Sequence, residues 1–144
     1  MTNNNMYFVA NWKMYGNTAD IDKSTSVIKL ANHKKYKKSK IIYCPPYTLL
    51  KTFYNKVKNS NISIGAQNCH SNSDYGAFTG SINAKLIKST GAKYIILGHS
   101  ENRNNGETDL SINKKIHSAL KENLIVIICI GEKLTEKKKK NTYK

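Results

Sequence analysis

The sequence predicts an α/β protein built around a parallel sheet, and two patterns carry that prediction. Five short apolar runs recur along the chain, and four of them are continuous rather than alternating. Continuous apolar runs are typical of strands that are buried on both faces of a parallel sheet. The segments between them place apolar residues at three-to-four spacing, which indicates helices, and strands that alternate with helices favour parallel pairing. Periodicity alone leaves two architectures open, a doubly wound sheet and an unfinished barrel.

The apolar runs define five predicted strands. They occupy residues 7–10, 41–44, 62–66, 94–98 and 124–130. The second run stops at Pro45, which has no backbone N–H to continue a ladder. The fifth run is the strongest of the set. We therefore assign one strand to each run.

Four helical patterns separate these strands. They cover residues 18–33, 46–58, 82–90 and 107–122. Thr18 is the predicted N-cap of the first, Pro46 stands at the start of the second, and Gly91 follows the third as a C-terminal stop. The buried stripe predicted for the fourth comprises Ile112, Ile116, Ala119 and Leu120. The charged segment that begins at Gly131 and Glu132 predicts the start of a fifth helix.

The composition fits one ordinary globular domain and excludes several classes of protein. The 144 residues are 39% hydrophobic and 23% charged, so neither a disordered nor a fibrous chain is expected. No apolar run approaches the roughly 20 residues that cross a bilayer, and the polar residues 1–5 lack the features of a secretory signal. The three cysteines form no Cys-x-x-Cys pair, which argues against a disulfide framework or a zinc site and indicates a reducing cytoplasm.

The charge of +15 comes almost wholly from lysine, since Arg103 is the only arginine among 24 basic residues. Such a field attracts anions, whether phosphorylated metabolites, nucleic acid or an acidic membrane surface. Dedicated nucleic-acid binders favour arginine, however, because its guanidinium makes bidentate contacts. Lysine, asparagine and isoleucine are all frequent here and share AT-rich codons, so we attribute most of the charge to composition bias. The lysines at 137–140 are interpreted as a solvated helix tail.

Polar side chains follow four of the predicted strands and supply the candidate site. They are Asn11 and Lys13, Gln67 and Asn68, His99 and Glu101, and Glu132. In parallel α/β folds ligands bind at the carboxyl ends of the strands, so these side chains are expected to converge. A lysine, a histidine and a carboxylate together suit an anionic substrate and proton transfer. The sequence has no P-loop, dinucleotide-binding, zinc-protease or nucleophile-elbow motif, so we predict no metal and no serine-hydrolase chemistry.

Each of these residues also has a purely structural interpretation. Lys13 fits a solvent-exposed surface in a lysine-rich chain, and a lone histidine at a strand end, such as His99, is more often structural. Cys129 lies inside an apolar run, where an inert core thiol is expected. The choice between the two interpretations therefore depends on the pattern as a whole.

That pattern resembles the triosephosphate isomerase family in five motifs that follow the family's order. They are FVANWKM at 8–14, GAQN at 65–68, GAFTG at 76–80, YIILGHSE at 94–101 and VIICIGE at 126–132. The resemblance extends over nearly the whole chain at near-family spacing, and it implies an α/β fold of the parallel TIM-barrel type. We expect an incomplete barrel with about five of the eight βα units. Residues 1–144 then form a single partial domain, with 1–5 as a polar extension and 133–144 as a basic tail.

The resemblance also implies a role for each candidate residue. Asn11 and Lys13 would contact the substrate, and His99 would be a neutral electrophile that polarises the carbonyl. The implied supporting residues are Glu101, Cys129 and Glu132. A loop with Thr79 at its tip would insert into the partner subunit of a homodimer beside Asn11, and Gln67 is grouped with that contact. The resemblance implies no cofactor and no metal.

Enzymes of this family interconvert dihydroxyacetone phosphate and D-glyceraldehyde 3-phosphate in glycolysis and gluconeogenesis. A complete barrel has about 250 residues and eight strands. The part that would carry the catalytic glutamate, the closing loop and the phosphate-binding amides does not occur in these 144 residues, so we expect a truncated version of a longer protein.

The expected partners are a small phosphorylated triose and a second subunit in the cytoplasm, without nucleic acid or membrane. We expect no activity from this chain alone, because no residue in it matches the catalytic base. The alternative function is a non-catalytic remnant that interacts with a full-length or complementary chain.

Overall fold

The computed structural model describes residues 5–132, 137 and 138. Its strands are β1 (Met6–Asn11), β2 (Ser39–Cys44), β3 (Ile62–Ala66), β4 (Tyr94–Leu97) and β5 (Ile125–Ile128). They pair in parallel, and their order in the sheet is their order in the sequence. A doubly wound sheet reverses its direction of growth at a switch point. This sheet does not reverse across its described strands, and it therefore has the order of part of a barrel.

The helices lie where the sequence predicts them, with one addition. They are α1 (Thr25–Ala31), α2 (Leu50–Val57), α3 (Ala84–Ser89), α4 (Ser100–Asn104) and α5 (Asp109–Lys121), together with 3₁₀ segments at Thr18–Ser24, Lys34–Tyr36 and Tyr47–Leu49. The sequence pattern missed α4, which follows β4 almost directly. Within the described part of the chain, no helix is both long and apolar enough to cross a membrane.

The prediction of Thr18 as the first helix cap is wrong, because the cap is Asn17. The Asn17 side-chain oxygen accepts the N–H of Ala19 at 2.9 Å, and the Asp20 carboxylate accepts the N–H of Asn17 at 2.9 Å. These reciprocal bonds satisfy backbone groups that the first turn leaves unpaired. Thr18 consequently lies inside the segment, which begins as a 3₁₀ helix.

The stripe predicted for α5 is wrong at Leu120, which is 53% exposed. Ile112 and Ala119 are buried as predicted, and they lie seven residues apart on one face of the helix. Leu120 is one position further on, about 100° around the helix axis, and turns toward solvent. The predicted fifth helix does not begin at 131 or 132, which are not helical. Apart from 137 and 138, the predicted tail at 133–144 lies outside the described residues, as does the predicted extension apart from Asn5.

Apolar side chains pack on both faces of the sheet, which accounts for the continuous apolar runs. On the helix-covered face, Phe53 is fully buried, and its ring centroid lies 5.3 Å from that of Trp12 and 5.0 Å from that of Tyr43. The opposite face carries a smaller cluster of Ile42, Cys44, Tyr94 and Ile96. Packing in the two clusters favours the observed register of each strand with its neighbours.

The outermost strands leave apolar surface exposed. Within the described residues, β1 pairs only with β2 and β5 only with β4. Met6, Phe8 and Ile125 are each at least half exposed. An apolar groove of about 440 Å³ runs beside β1, where Phe8 faces Val27 and its neighbours on the helix side. Both edges of the sheet are therefore open to further contacts.

Replacement of Phe53 by alanine should destabilise the chain by about 3–5 kcal/mol, because it removes a fully buried ring and leaves a cavity. The matched control is Leu110→Ala on an exposed side chain, which should change stability by less than about 0.5 kcal/mol. Urea unfolding of the two variants and the parent chain measures both effects. Equal stabilities for the two variants would contradict this assignment of the core.

Candidate active site

The polar side chains that follow the strands surround one cavity of about 240 Å³ at the carboxyl ends of the strands. Its lining residues are Asn11, Lys13, Tyr47, Gln67, Asn68, His99, Glu101 and Asn102. The predicted convergence is thus confirmed for the residues that follow β1, β3 and β4. Glu132 and Cys129, which come after or at the end of the fifth apolar run, are not in the lining.

Lys13 has a left-handed backbone conformation, with a φ angle of +53°. For a residue with a Cβ such a conformation costs roughly 1–3 kcal/mol and must be held by its surroundings. The Asn11 side-chain oxygen accepts the N–H of Lys13 at 2.9 Å, and Gln67 Nε2 donates to the Lys13 carbonyl at 2.8 Å. The side chains of Asn11 and Gln67 therefore hydrogen-bond to the backbone N–H and the backbone carbonyl of Lys13, respectively. The same Gln67 nitrogen also donates to the carbonyl of Cys44 at 2.8 Å.

The Lys13 ammonium forms an ion pair with Glu101, with Nζ 2.8 Å from Oε1. The hydrogen bond from Lys13 holds the pKa of the Glu101 carboxyl below its ordinary value, and the same bond raises the pKa of Lys13. Lys13 is therefore a cation at neutral pH, and Glu101 is a carboxylate already committed to it. A carboxylate with a lowered pKa is a weak proton acceptor, which favours a supporting role for Glu101.

His99 follows β4 and caps the start of α4. Its Nδ1 lies 3.3 Å from the backbone N of Glu101 and 3.4 Å from Oε2 of the same residue, so this nitrogen is engaged with Glu101. Nε2 is therefore the ring nitrogen left to contact a ligand. Gly98, with a φ of +72°, makes the turn that precedes the ring, and an added Cβ would lie 3.1 Å from the Cys129 carbonyl oxygen.

Three of the site residues that the sequence predicted lie away from the cavity. Cys129 packs against the apolar cluster on the face of the sheet opposite the helices. Its carbonyl oxygen lies 3.4 Å from Arg103 Nη2. Glu132 is exposed beyond β5. Thr79 is exposed in a loop in which the Phe78 ring packs at a tilt against His70, with ring centroids 4.5 Å apart. Their supporting and dimer roles remain predictions.

Sequence analysis missed a buried polar group behind the cavity. Lys115 and Glu107 form an ion pair there, with side chains 15% and 7% exposed. Lys115 Nζ also donates to Asn68 Oδ1 at 3.0 Å. The signal that could have found Lys115 is its position three residues after Ile112 and four before Ala119, which places it beside the buried stripe of α5. Elsewhere in the described residues, no group of three or more His, Cys, Asp or Glu side chains could hold a metal ion.

The comparison with known proteins agrees with this geometry. The family model for triosephosphate isomerase matches residues 6–144. The chain belongs to the triosephosphate isomerase family. The triosephosphate isomerase of Alkaliphilus oremlandii is 40% identical over 134 residues, which are 92% of this chain and 53% of that relative. The enzyme of Moorella thermoacetica is 37% identical over 134 residues, with shares of 92% and 52%.

A solved structure confirms the predicted fold class of this triosephosphate isomerase family member. The crystal structure of triosephosphate isomerase from Bartonella henselae superimposes with a TM-score of 0.87 at 33% sequence identity. The match covers 95% of this chain and 56% of that one. The chain spans about half the length of the curated relatives it matches. Its five strands are accordingly part of a TIM barrel.

Replacement of Lys13 by methionine should raise the pKa of Glu101 toward its ordinary range, because the ammonium that stabilises the carboxylate is lost. In the parent chain the ion pair is formed above the pKa of Glu101 and is lost as the pH falls through that pKa. Carbon-13 NMR of the Glu101 carboxyl, assigned with Glu101→Gln, measures the midpoint.

The control for this measurement is Lys23→Met, since Lys23 pairs with Asp20 instead. It should leave the Glu101 midpoint unchanged. A midpoint that stays at the parental value in Lys13→Met would contradict the ion pair.

Proposed function

We propose that this chain provides the substrate-binding and electrophilic residues of a triosephosphate isomerase, which interconverts dihydroxyacetone phosphate and D-glyceraldehyde 3-phosphate. The observation that carries the proposal is the meeting of Lys13, His99 and Asn11 at one cavity where strands end. A cation, an imidazole and an amide together suit a small phosphorylated carbonyl compound. Membership of the family makes this reaction the expected one.

Each side chain has a part in the proposed isomerisation, and its position at the cavity supports that part. The Lys13 ammonium offsets the charge of the phosphate and the negative charge that develops on the enediolate oxygen. His99 donates the proton on Nε2 to the substrate carbonyl, which makes the neighbouring C–H more acidic. The same nitrogen then moves a proton between the two oxygens of the intermediate. Asn11 lines the cavity beside Lys13 and holds its backbone.

The proton on carbon must be taken by a base that the described residues do not supply. Among them, Glu101 is the only carboxylate that lines the cavity, and it is paired with Lys13. General base catalysis is typically worth about 10²–10⁴ in rate. We therefore expect no measurable turnover from the chain alone. The relatives have about as much sequence again outside the matched part, and the base is proposed to come from the corresponding segment.

The partners and the compartment of the active enzyme are part of the same proposal. We propose a homodimer in which the loop around Thr79 contacts the neighbouring subunit. Exposed aromatic side chains on that loop, Tyr75 and Phe78, support it. The three cysteines are free thiols, which supports a reducing cytoplasm. No contact with nucleic acid or membrane is proposed.

Complementation tests the proposed activity. The chain is co-expressed with the part of the Alkaliphilus oremlandii relative that lies beyond the matched residues, and isomerisation is assayed on the purified mixture. We expect activity that depends on both pieces, and His99→Gln should lower kcat by about 10²–10⁴ because the electrophile is lost.

The control variant is His33→Gln, whose side chain caps the 3₁₀ segment before β2 and does not line the cavity. It should leave kcat unchanged. Unaltered turnover in His99→Gln would remove His99 from the mechanism. Clear turnover by the purified chain alone would overturn the argument about the missing base.

The exposed edges of the sheet favour a second candidate function, that of a non-catalytic chain that binds a complementary or full-length isomerase. Apolar side chains on β1 and β5 lie at the positions where a barrel would continue, and the groove beside Phe8 is apolar. Unpaired parallel edges and exposed apolar patches mark sites of association. The two candidate functions share this association and differ in whether turnover accompanies it.

Phe8→Glu should weaken the association of the chain with the complementary piece at least tenfold, because it places a charge in the apolar groove. Leu110→Glu, on an exposed helix position away from the groove, is the control and should bind like the parent. Analytical ultracentrifugation of the mixed pieces measures the affinity. Association without turnover would favour the non-catalytic function, and turnover would favour the enzyme.

A further inference from the structure

The ion pair between Lys115 and Glu107 is the most buried pair of charges in the described part of the chain. Lys115 comes from α5, and Glu107 precedes that helix. Besides Glu107, the Lys115 ammonium contacts Asn68 Oδ1 at 3.0 Å, directly after β3. The pair thus joins the segment around α5 to Asn68, which follows β3 and lines the cavity.

The surroundings of the pair are poorly hydrated. Burial raises the pKa of Tyr47 above its ordinary range and raises the pKa of Cys69 to about 11. Glu107 Oε2 is buried and has no hydrogen-bond partner within the described residues. Removal of two charges from water is unfavourable, and apolar residues of similar volume are often as stabilising as a buried ion pair. Stability alone is therefore a weak reason for charges at this place.

A short series of contacts leads from this pair to the site. Lys115 holds the side chain of Asn68, whose oxygen also accepts the N–H of Cys69 at 2.9 Å. Asn68 is thereby fixed at the position that follows Gln67. The Gln67 side chain in turn donates a hydrogen bond to the carbonyl of Lys13. This bond supports the left-handed backbone conformation of Lys13.

We propose that Lys115, oriented by Glu107, is a positioning residue. It fixes the side chain of Asn68 and, through the adjoining backbone, the hydrogen bond from the Gln67 side chain to the Lys13 carbonyl. The charge of Lys115 is required because a single ammonium can donate to the Glu107 carboxylate and to the side-chain oxygen of Asn68 at once. The inference rests on the proposed function only in that Lys13 binds substrate there. Its test requires no turnover, so failure of the complementation assay and failure of this proposal are distinguishable.

Two variants of the full chain separate positioning from simple stabilisation. Glu107→Leu combined with Lys115→Met replaces both charges with apolar side chains, and we expect this double variant to stay folded. Asn68→Leu keeps the ion pair and removes its link to β3. The matched control is Lys114→Met, on the exposed neighbour of Lys115. Thermal unfolding establishes that each variant is folded.

The readouts are the hydrogen exchange of the Gln67 side-chain amide and the titration midpoint of Glu101, both by NMR. In the double variant and in Asn68→Leu, we expect Gln67 exchange to be about tenfold faster, the factor that corresponds to about 1.4 kcal/mol. The midpoint of Glu101 should rise in both, because a loosened Lys13 no longer holds its partner. Lys114→Met should match the parent in both readouts.

Folded variants with parental Gln67 exchange and a parental Glu101 midpoint would overturn the proposal and leave the pair a structural role. If the double variant does not fold, Asn68→Leu decides the question by itself. A change in the double variant with none in Asn68→Leu would also overturn it, because the effect would then bypass Asn68.

Discussion

The carbonyl oxygen of Cys44 is the point on which the geometry of the site depends. It ends β2 and accepts two hydrogen bonds, from the backbone N–H of Trp12 at 3.0 Å and from Gln67 Nε2 at 2.8 Å. The ends of three neighbouring strands are thus tied to one atom. The close approach requires Gly65, since a Cβ there would lie 2.7 Å from the Cys44 sulfur. With these ends fixed, Asn11 and Gln67 hold the backbone of Lys13, and Glu101 holds its ammonium.

Three carboxylates follow β4 and form ion pairs near this edge of the sheet. Three of the nine acidic residues, Glu101, Glu107 and Asp109, lie within a single stretch after β4. Each binds a different cation, Lys13, Lys115 or Arg103. In a chain of charge +15, this places scarce negative charge where it holds cations in defined positions. The many lysines in excess of the nine acidic residues contribute to the general field that draws anions toward the protein.

The parts of the fold that could be predicted from sequence are those governed by local periodicity. The five strands β1–β5 and the helices α1, α2, α3 and α5 follow from apolar spacing and from punctuation such as Pro46 and Gly91. The errors have local physical causes. Asn17 displaced Thr18 as a cap because its amide and Asp20 form a reciprocal pair of bonds. The helix α4 is too short to show a period.

The site was predicted at the residues that follow strands, and topology explains why. Parallel pairing brings every strand end to one edge, so Asn11, His99 and Gln67 could be grouped without coordinates. Lys115 does not follow a strand and could not be grouped in this way. Its spacing from Ile112 indicates burial, but its contact with Asn68 spans 47 residues, and no pattern within either segment predicts that contact.

The identity of sheet order and chain order bears on how the protein is made. Each strand pairs with the one synthesised just before it, so a nascent chain never has to leave a gap for a strand that has not yet emerged. Each pair of neighbouring strands is joined by a single crossover that contains at least one helix, so no pairing step has to close a loop longer than one βα unit. The sheet can therefore grow by addition at one edge while translation continues, with the most recent strand as the template for the next.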